Sequence, residues 1–229
     1  MAEVLVEKVT NFCCNKEYFL EENEHKTIIV FNDGSNACAF NLQANLKKGA
    51  NLNIYNVATT DLNASINETI VLEAEGATCN ILNVLLVGGN ANLESNIMLL
   101  HNCKETVSDF ANYAIAVDNA VMTLNNNAKI VKGASKSIVR QKAKGLTLSK
   151  NAKIKAMPNL YIDEYDVIAN HAASIGSISK EDLFYLMSRG LDEKDASKLI
   201  VLGFVQPLLD RIDDVDLRKE ISEHFVSKL

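Results

Sequence analysis

The side chains able to do chemistry are few and scattered. Five cysteines (Cys13, Cys14, Cys38, Cys79 and Cys103) and four histidines (His25, His101, His171 and His224) supply the soft ligands and nucleophiles. None stands in a Cys-x-x-Cys or His-Glu-x-x-His spacing, and no Gly-x-Ser-x-Gly occurs. The common zinc, redox and serine-hydrolase arrangements are therefore excluded. Cys13 and Cys14 are adjacent, and on an extended strand neighbouring side chains point to opposite faces, so the pair cannot grip one metal and reads as buried structural thiol. An odd, unspaced set of cysteines also gives no disulfide framework. With no Gly-x-x-x-x-Gly-Lys-Ser/Thr loop in the chain, any ATP hydrolysis must come from another protein.

Charge narrows the partners. The 229 residues carry a formal net charge of -6, which argues against general binding to nucleic acid or to an anionic membrane, since both need a cationic field. Against that background, residues 119–162 hold nine Lys or Arg and no Asp or Glu, among them Lys129, Lys132, Lys136, Arg140, Lys142 and Lys144. Such a stripe is either the wet face of a strand array or a dock for an acidic partner. It is not an RNA platform, because no aromatic residue is interleaved before Tyr161. No apolar run nears the ~20 residues that span a bilayer, and Met1-Ala2-Glu3-Val4 lacks a secretory layout, so a cytoplasmic protein is expected.

These residues need elements to hold them, and asparagine marks where the elements change. All 26 Asn lie between Asn11 and Asn170. Asn tolerates the left-handed backbone and bonds to its own neighbours, so it suits frequent turns and fills helices poorly. Between the turns lie short runs of β type: Thr27–Phe31, Leu52–Tyr55, Thr69–Leu72 and Ile81–Val87. A Gly or Asn followed by Ala recurs at Gly49-Ala50, Gly76-Ala77, Asn90-Ala91, Asn119-Ala120, Gly133-Ala134 and Asn151-Ala152. The intervals suit half-coils and coils of a β-solenoid. A β-sandwich is the alternative, but hairpin signals are nearly absent, Asp33-Gly34 being the one candidate.

Past His171 the period changes. Ser179 with Asp182 resembles a capping box before the apolar stripe Leu183, Phe184, Leu186 and Met187, and Gly190 ends that helix. Asp192 starts a second helix closing around Gly203, Pro207 and Asp213-Asp214 bracket a third segment, and Val215–Phe225 reads as the last of four short helices. The expected division is a β-helix scaffold over 1–165 and a helical domain over 166–229. His25, His101 and His224 sit in surface-like contexts, whereas His171 falls at the junction.

The run Asp166-Val167-Ile168-Ala169-Asn170-His171-Ala172-Ala173-Ser174-Ile175-Gly176 is preceded by Pro158 and Leu160. Leu183-Phe184-Tyr185-Leu186-Met187-Ser188-Arg189-Gly190 and Gly203-Phe204 follow it. Together these resemble the C-terminal signature of the SufB/SufD family, in a short SufD-like form. The resemblance implies a mainly β fold, a right-handed parallel β-helix with a small C-terminal α-helical domain, acting as a scaffold subunit in iron-sulfur cluster assembly. It implies as partners a SufC-like ABC-type ATPase, bound through Leu183, Phe184, Tyr185, Arg189 and Phe204, and a SufB-like chain or a second copy joined through β-helix edges. His171 matches the histidine at the family's cluster-assembly interface, the one candidate metal ligand. A cysteine and an acidic residue of the B-type subunit fall on Ala143 and Ala172, and a cysteine of the D-type subunit on Ala169. One imidazole is too little for a cluster, which takes about four ligands. The expectation is that this chain holds no cofactor stably, shares a transient iron-sulfur cluster within a complex, and is not an enzyme. Solenoid-like sequence begins near Val4 or Thr27, without the long N-terminal segment of full-length members. The rival readings are a β-helix enzyme acting on carbohydrate and a structural adaptor unconnected with metals.

Overall fold

The computed structural model describes residues 3–8, 14–32, 34 and 37–227. In chain order the strands are β1 (Glu3–Lys8), β2 (Cys14–Leu20), β3 (His25–Asn32), β4 (Cys38–Leu46), β5 (Asn51–Thr60), β6 (Ala64–Leu72) and β7 (Thr78–Val87). They continue as β8 (Asn92–His101), β9 (Val107–Ala116), β10 (Val121–Ile130), β11 (Ile138–Thr147), β12 (Lys153–Ile162) and β13 (Ile168–Ser177). Odd strands form one sheet in the order β1-β3-β5-β7-β9-β11-β13, and even strands the other, β12-β10-β8-β6-β4-β2. Every pairing is parallel and joins a strand to the one a full coil away. That is a two-sided β-solenoid, as the turn pattern predicts.

The turn signature marks the corners. Ala50, Ala77, Ala91, Ala120, Ala134 and Ala152 are all buried. Each donates its backbone N–H to the carbonyl three residues earlier, as Ala50 does to Lys47 and Ala120 to Val117. A methyl is what fits where two strands converge on the interior. Before it the backbone must turn left-handed, at Gly49 (φ +65°), Gly76 (φ +72°) and Gly133 (φ +92°), and at Asp118 (φ +55°) in the corner ending on Ala120. Glycine meets that demand without a Cβ clash, and Asp is one of the side chains that tolerates it.

The two sheets differ because their outer faces meet different surroundings. Strands β5 and β7 are buried on both faces over most of their length, and Ile81-Leu82-Asn83-Val84-Leu85-Leu86-Val87 is accordingly almost continuously apolar. In the even sheet, β8 and β10 alternate buried with partly or fully exposed positions. The outer face of the odd sheet is covered by helices. There Ile29, Phe31, Tyr55, Val57, Leu82, Val84, Tyr113 and Ile115 form a second core with Val201, Val205, Leu208, Ile221 and Phe225.

The tail has three helices, α1 (Lys180–Ser188), α2 (Glu193–Leu209) and α3 (Val215–Ser227); α2 and α3 make that cover, and α1 lies against α2. Ser179 and Asp192 cap α1 and α2, accepting from the N–H groups of Asp182 (3.2 Å) and Asp195 (2.8 Å), and Gly190 (φ +97°) follows α1 as expected. The expected stop at Gly203 does not occur, nor does the separate segment at Pro207. Helix α2 runs through both, because burying Val201, Val205, Leu208 and Leu209 outweighs two poor helix formers. The division expected at 165/166 also falls one strand short. Strand β13 pairs with β11, so the helical part starts at Lys180. The Ala-rich run 168–177 has weak strand propensity, and the open edge of β11 decides its conformation.

Outward-facing asparagines stack from coil to coil. Asn41 donates to Asn15 (2.8 Å), Asn67 to Asn41 (2.9 Å), Asn96 to Asn67 (2.9 Å) and Asn125 to Asn96 (2.6 Å). These are amide ladders of the kind that lock parallel strands in register.

The corner argument has a direct test. Ala120→Leu inserts three carbons into a filled corner and is expected to cost about 1–3 kcal/mol, read as a lowered urea midpoint with an unchanged slope.

Candidate functional site

His171 lies on β13, the last strand of the odd sheet, in register with Gln141 of β11. Gln141 is buried, and its column continues inward to Phe110. His171 therefore occupies an inward-facing position at the end of the stack, where no further coil covers it, and it is exposed. The rest of β13 is exposed or half-buried too. So are Met157, Tyr161 and Ile162 on β12, Tyr165, and Ile168 and Ile175 on β13, with Tyr165 wholly bare. The end of the solenoid is thus an apolar, uncapped surface with two strand edges and one imidazole. The sequence gives no signal for this patch, because the same apolar pattern fills the covered coils.

Beside this end, the basic stretch divides between faces. Arg140, Lys142 and Lys144 alternate along β11 and are exposed, with buried Val139, Gln141 and Ala143 between them. Lys142 stands 5.9 Å from the centre of the Tyr113 ring. On β12, Lys153 and Lys155 are exposed. The cations therefore rim the open end.

The proposed partner-binding residues sit on or near α1. That helix has no buried residue. Phe184 is 74% and Tyr185 58% exposed, a poor arrangement for apolar rings unless another surface covers them. Arg189 lies 5.4 Å from the Tyr185 ring centre. Leu183 is half-buried. Phe204, on α2, is in edge contact with Tyr113 at 5.4 Å and packs against the second core, so it belongs in part to the tail's own packing.

The other histidines divide. His25 is exposed, and His224 is in edge contact with Phe31 at 5.4 Å. His101 corrects the surface reading. It is buried at the end of β8 with Nδ1 2.8 Å from Thr106 Oγ1 and Nε2 2.8 Å from Ser108 Oγ, and Thr106 in turn meets Ser137 at 2.8 Å. One ring nitrogen donates and the other accepts, so the neutral imidazole is fully satisfied. Burial pushes its pKa down to about 4. Hydroxyls at Thr106 and Ser108, five and seven residues after the histidine, were the available sign. Of the cysteines, Cys79 is buried, with its pKa raised by burial and then by the Glu68 charge, and Cys103 is half-buried. Cys13 and the side chains of Cys14 and Cys38 lie outside the described residues.

Among the described residues no three His, Cys, Asp or Glu side chains converge as a metal site, at His171 or elsewhere. The crevice lined by Asn15, Lys16, Glu17, Asn41 and Gln43 carries one carboxylate and three amides. Glycoside hydrolysis needs two facing carboxylates. Among the described residues no helix is long and apolar enough to cross a membrane.

Parallel strands stacked coil on coil, with an open last coil and a helical tail, place the protein in the β-solenoid class. Within it, residues 10–204 match the family described as SUF system FeS cluster assembly, SufBD core domain, and the chain belongs to that family. It is 31% identical over 153 residues to the iron-sulfur cluster assembly protein SufD of Bacillus subtilis, covering 67% of this chain and 35% of that protein. It is 44% identical over 92 residues to an iron-sulfur cluster assembly SufBD family protein of Pyrococcus horikoshii, 39% of this chain and 20% of that one. Similarity to Bacillus subtilis SufB is 26% over 137 residues, 60% of this chain and 30% of SufB. The match thus spans about a third or less of these relatives' lengths.

Two histidines predict two behaviours. His171→Ala, at an exposed edge, should leave stability within about 0.5 kcal/mol. For His101 the unfolded imidazole takes up a proton below about pH 6.5 that the native one refuses until about 4. Its contribution is present above pH 6.5 and lost as pH falls through that window. The difference in unfolding free energy between wild type and His101→Gln should shrink by about 2–3 kcal/mol on going from pH 7 to pH 4.

Proposed function

We propose that this chain is a cytoplasmic scaffold subunit of iron-sulfur cluster assembly. It pairs through the open end of its solenoid with a SufB-like chain or with a second copy, and engages a SufC-like ABC-type ATPase through α1. The observation that carries this reading is the uncapped end itself. Strand edges there leave backbone donors and acceptors free, and a second edge satisfies them at little cost in specificity. Tyr161, Tyr165, Ile168 and Ile175 add apolar area that pairing would remove from water.

His171 would then lie between two chains. A neutral imidazole is an iron ligand, but a cluster takes about four ligands, mostly thiolates. Ala143, Ala172 and Ala169 stand where the resemblance places a cysteine, an acid and a cysteine, so the remaining ligands come from the partner, and the cluster is a transient cargo of the complex. The exposed Phe184 and Tyr185 with Arg189 supply the ATPase dock, with Leu183 and Phe204 supporting it from the tail's own core. In this scheme the ATPase supplies hydrolysis and the chain transmits its motion, which agrees with the missing phosphate loop.

The test is assembly in vitro. The purified chain, mixed with an ABC ATPase and a B-type chain of the same system, should co-elute with both. Phe184→Ala with Tyr185→Ala should weaken ATPase capture at least tenfold while pairing with the B-type chain persists. Anaerobic reconstitution with His171→Ala should give less cluster absorbance than wild type. Failure to bind either protein, with no effect of the substitution, would defeat the proposal.

A further inference from the structure

The interior of the solenoid is not wholly apolar. Asn56, Asn83 and Asn112 stack in one register column on the inner face of the odd sheet. Facing them, Glu68 on β6 sits in register between Leu42 and Ile97. Glu68 is 1% exposed and Asn56 2%. The Asn56 amide donates to Glu68 Oε1 at 2.7 Å and to Asn83 Oδ1 at 2.9 Å. That leaves Glu68 Oε2 and Asn56 Oδ1, two acceptors on side chains already in contact, with no hydrogen-bond partner.

While the carboxyl is ionised, neither acceptor can satisfy the other. A proton on Oε2 turns one of them into a donor and completes an acid–amide pair with Asn56 Oδ1. No ion pair reaches Glu68 among the described residues. Leu42 on β4 and Ile97 on β8 are apolar, β5 offers the Asn56 amide, and the titratable side chain acting with it is Cys79 on β7, a neutral thiol. A bare charge here would cost far more than the neutral acid.

We propose that Glu68 is a proton-binding site built into the interior, its carboxyl held as the neutral acid against Asn56, so that deprotonation places an unpaired charge between the two sheets. Burial pushes its pKa up to about 7, against the opposing hydrogen bond from Asn56. From the unfolded value of 4.5 up to that point, the native chain keeps a proton that the unfolded chain has released. The stabilisation is complete below pH 4.5 and is lost as pH rises through 7. The strand that carries Asn56 also sends Tyr55 and Val57 outward under the helices. Release of the proton therefore loosens the coil on which the tail rests.

Glu68→Gln is the neutral mimic, because its amide presents an N–H where the acid has its O–H. Full-length wild type and variant are unfolded in urea from pH 5 to pH 8.5. The two are expected to match at pH 5, with the variant's unfolding constant falling on the order of 10²-fold below that of wild type by pH 8. Taking the difference removes the opposite contribution of His101. Infrared spectra of wild type carrying 13C-labelled glutamate read the group directly, without reliance on a folded variant. A protonated carboxyl band at pH 6 that disappears above pH 8 supports the site. Parallel pH profiles, or a Glu68 carboxyl already ionised at pH 6, overturn it.

Discussion

Parallel coils share a backbone register, and everything else in this molecule answers to that constraint. A residue in one coil has its counterpart directly above and below, so a column must be filled by side chains that tolerate their own kind as neighbours. Ile, Leu and Val do so inside, giving the core of Ile28, Ile54, Ile81, Leu85 and Leu99. Asn does so outside, because an amide donates on one side and accepts on the other, as the chain from Asn15 to Asn125 shows. Charged columns would repel. At the corners, opposite charges therefore follow one another, Lys47 with Glu73 and Lys104 with Glu75.

Register also explains how much could be read from the residues alone. Asn and the Gly-Ala or Asn-Ala corners are local demands on φ and on corner volume, so they appear plainly in the sequence, and with them the solenoid. The continuous run Ile81–Val87 set beside the alternating Asn92–His101 even records which sheet is covered. Tertiary decisions were less visible. Pro207 and Gly203 argue locally for a break, and only the apolar surface of the odd sheet keeps α2 intact. His101 reads as a surface histidine until Thr106 and Ser108, at the start of β9, and Ser137, just before β11, are brought together around it.

The candidate site was legible in position and not in setting. His171 stood out through the motif around it, yet what gives the residue meaning is the absence of a covering coil at its column. Exposure of Tyr165 and Ile168 depends on where stacking stops, and no periodicity within the chain announces a last coil. The same holds for α1. Its apolar stripe is ordinary in sequence, and only the structure shows that Phe184 and Tyr185 face away from the body while α2 and α3 hold the tail in place.

Coil length changes along the body. Ladder partners are 26 residues apart between Asn15 and Asn41, 29 between Asn67 and Asn96, and 32 between Asn127 and Asn159. The first strands are shorter, seven residues in β2 and nine in β4, but β7 to β13 all have ten, so the growth in the later coils lies in the corners. An extra residue within a strand would turn every later side chain to the wrong face, whereas one in a corner leaves the faces unchanged. Such an architecture lets its outline be reshaped one bend at a time, a latitude open both to natural drift and to an engineer grafting a peptide onto the rim.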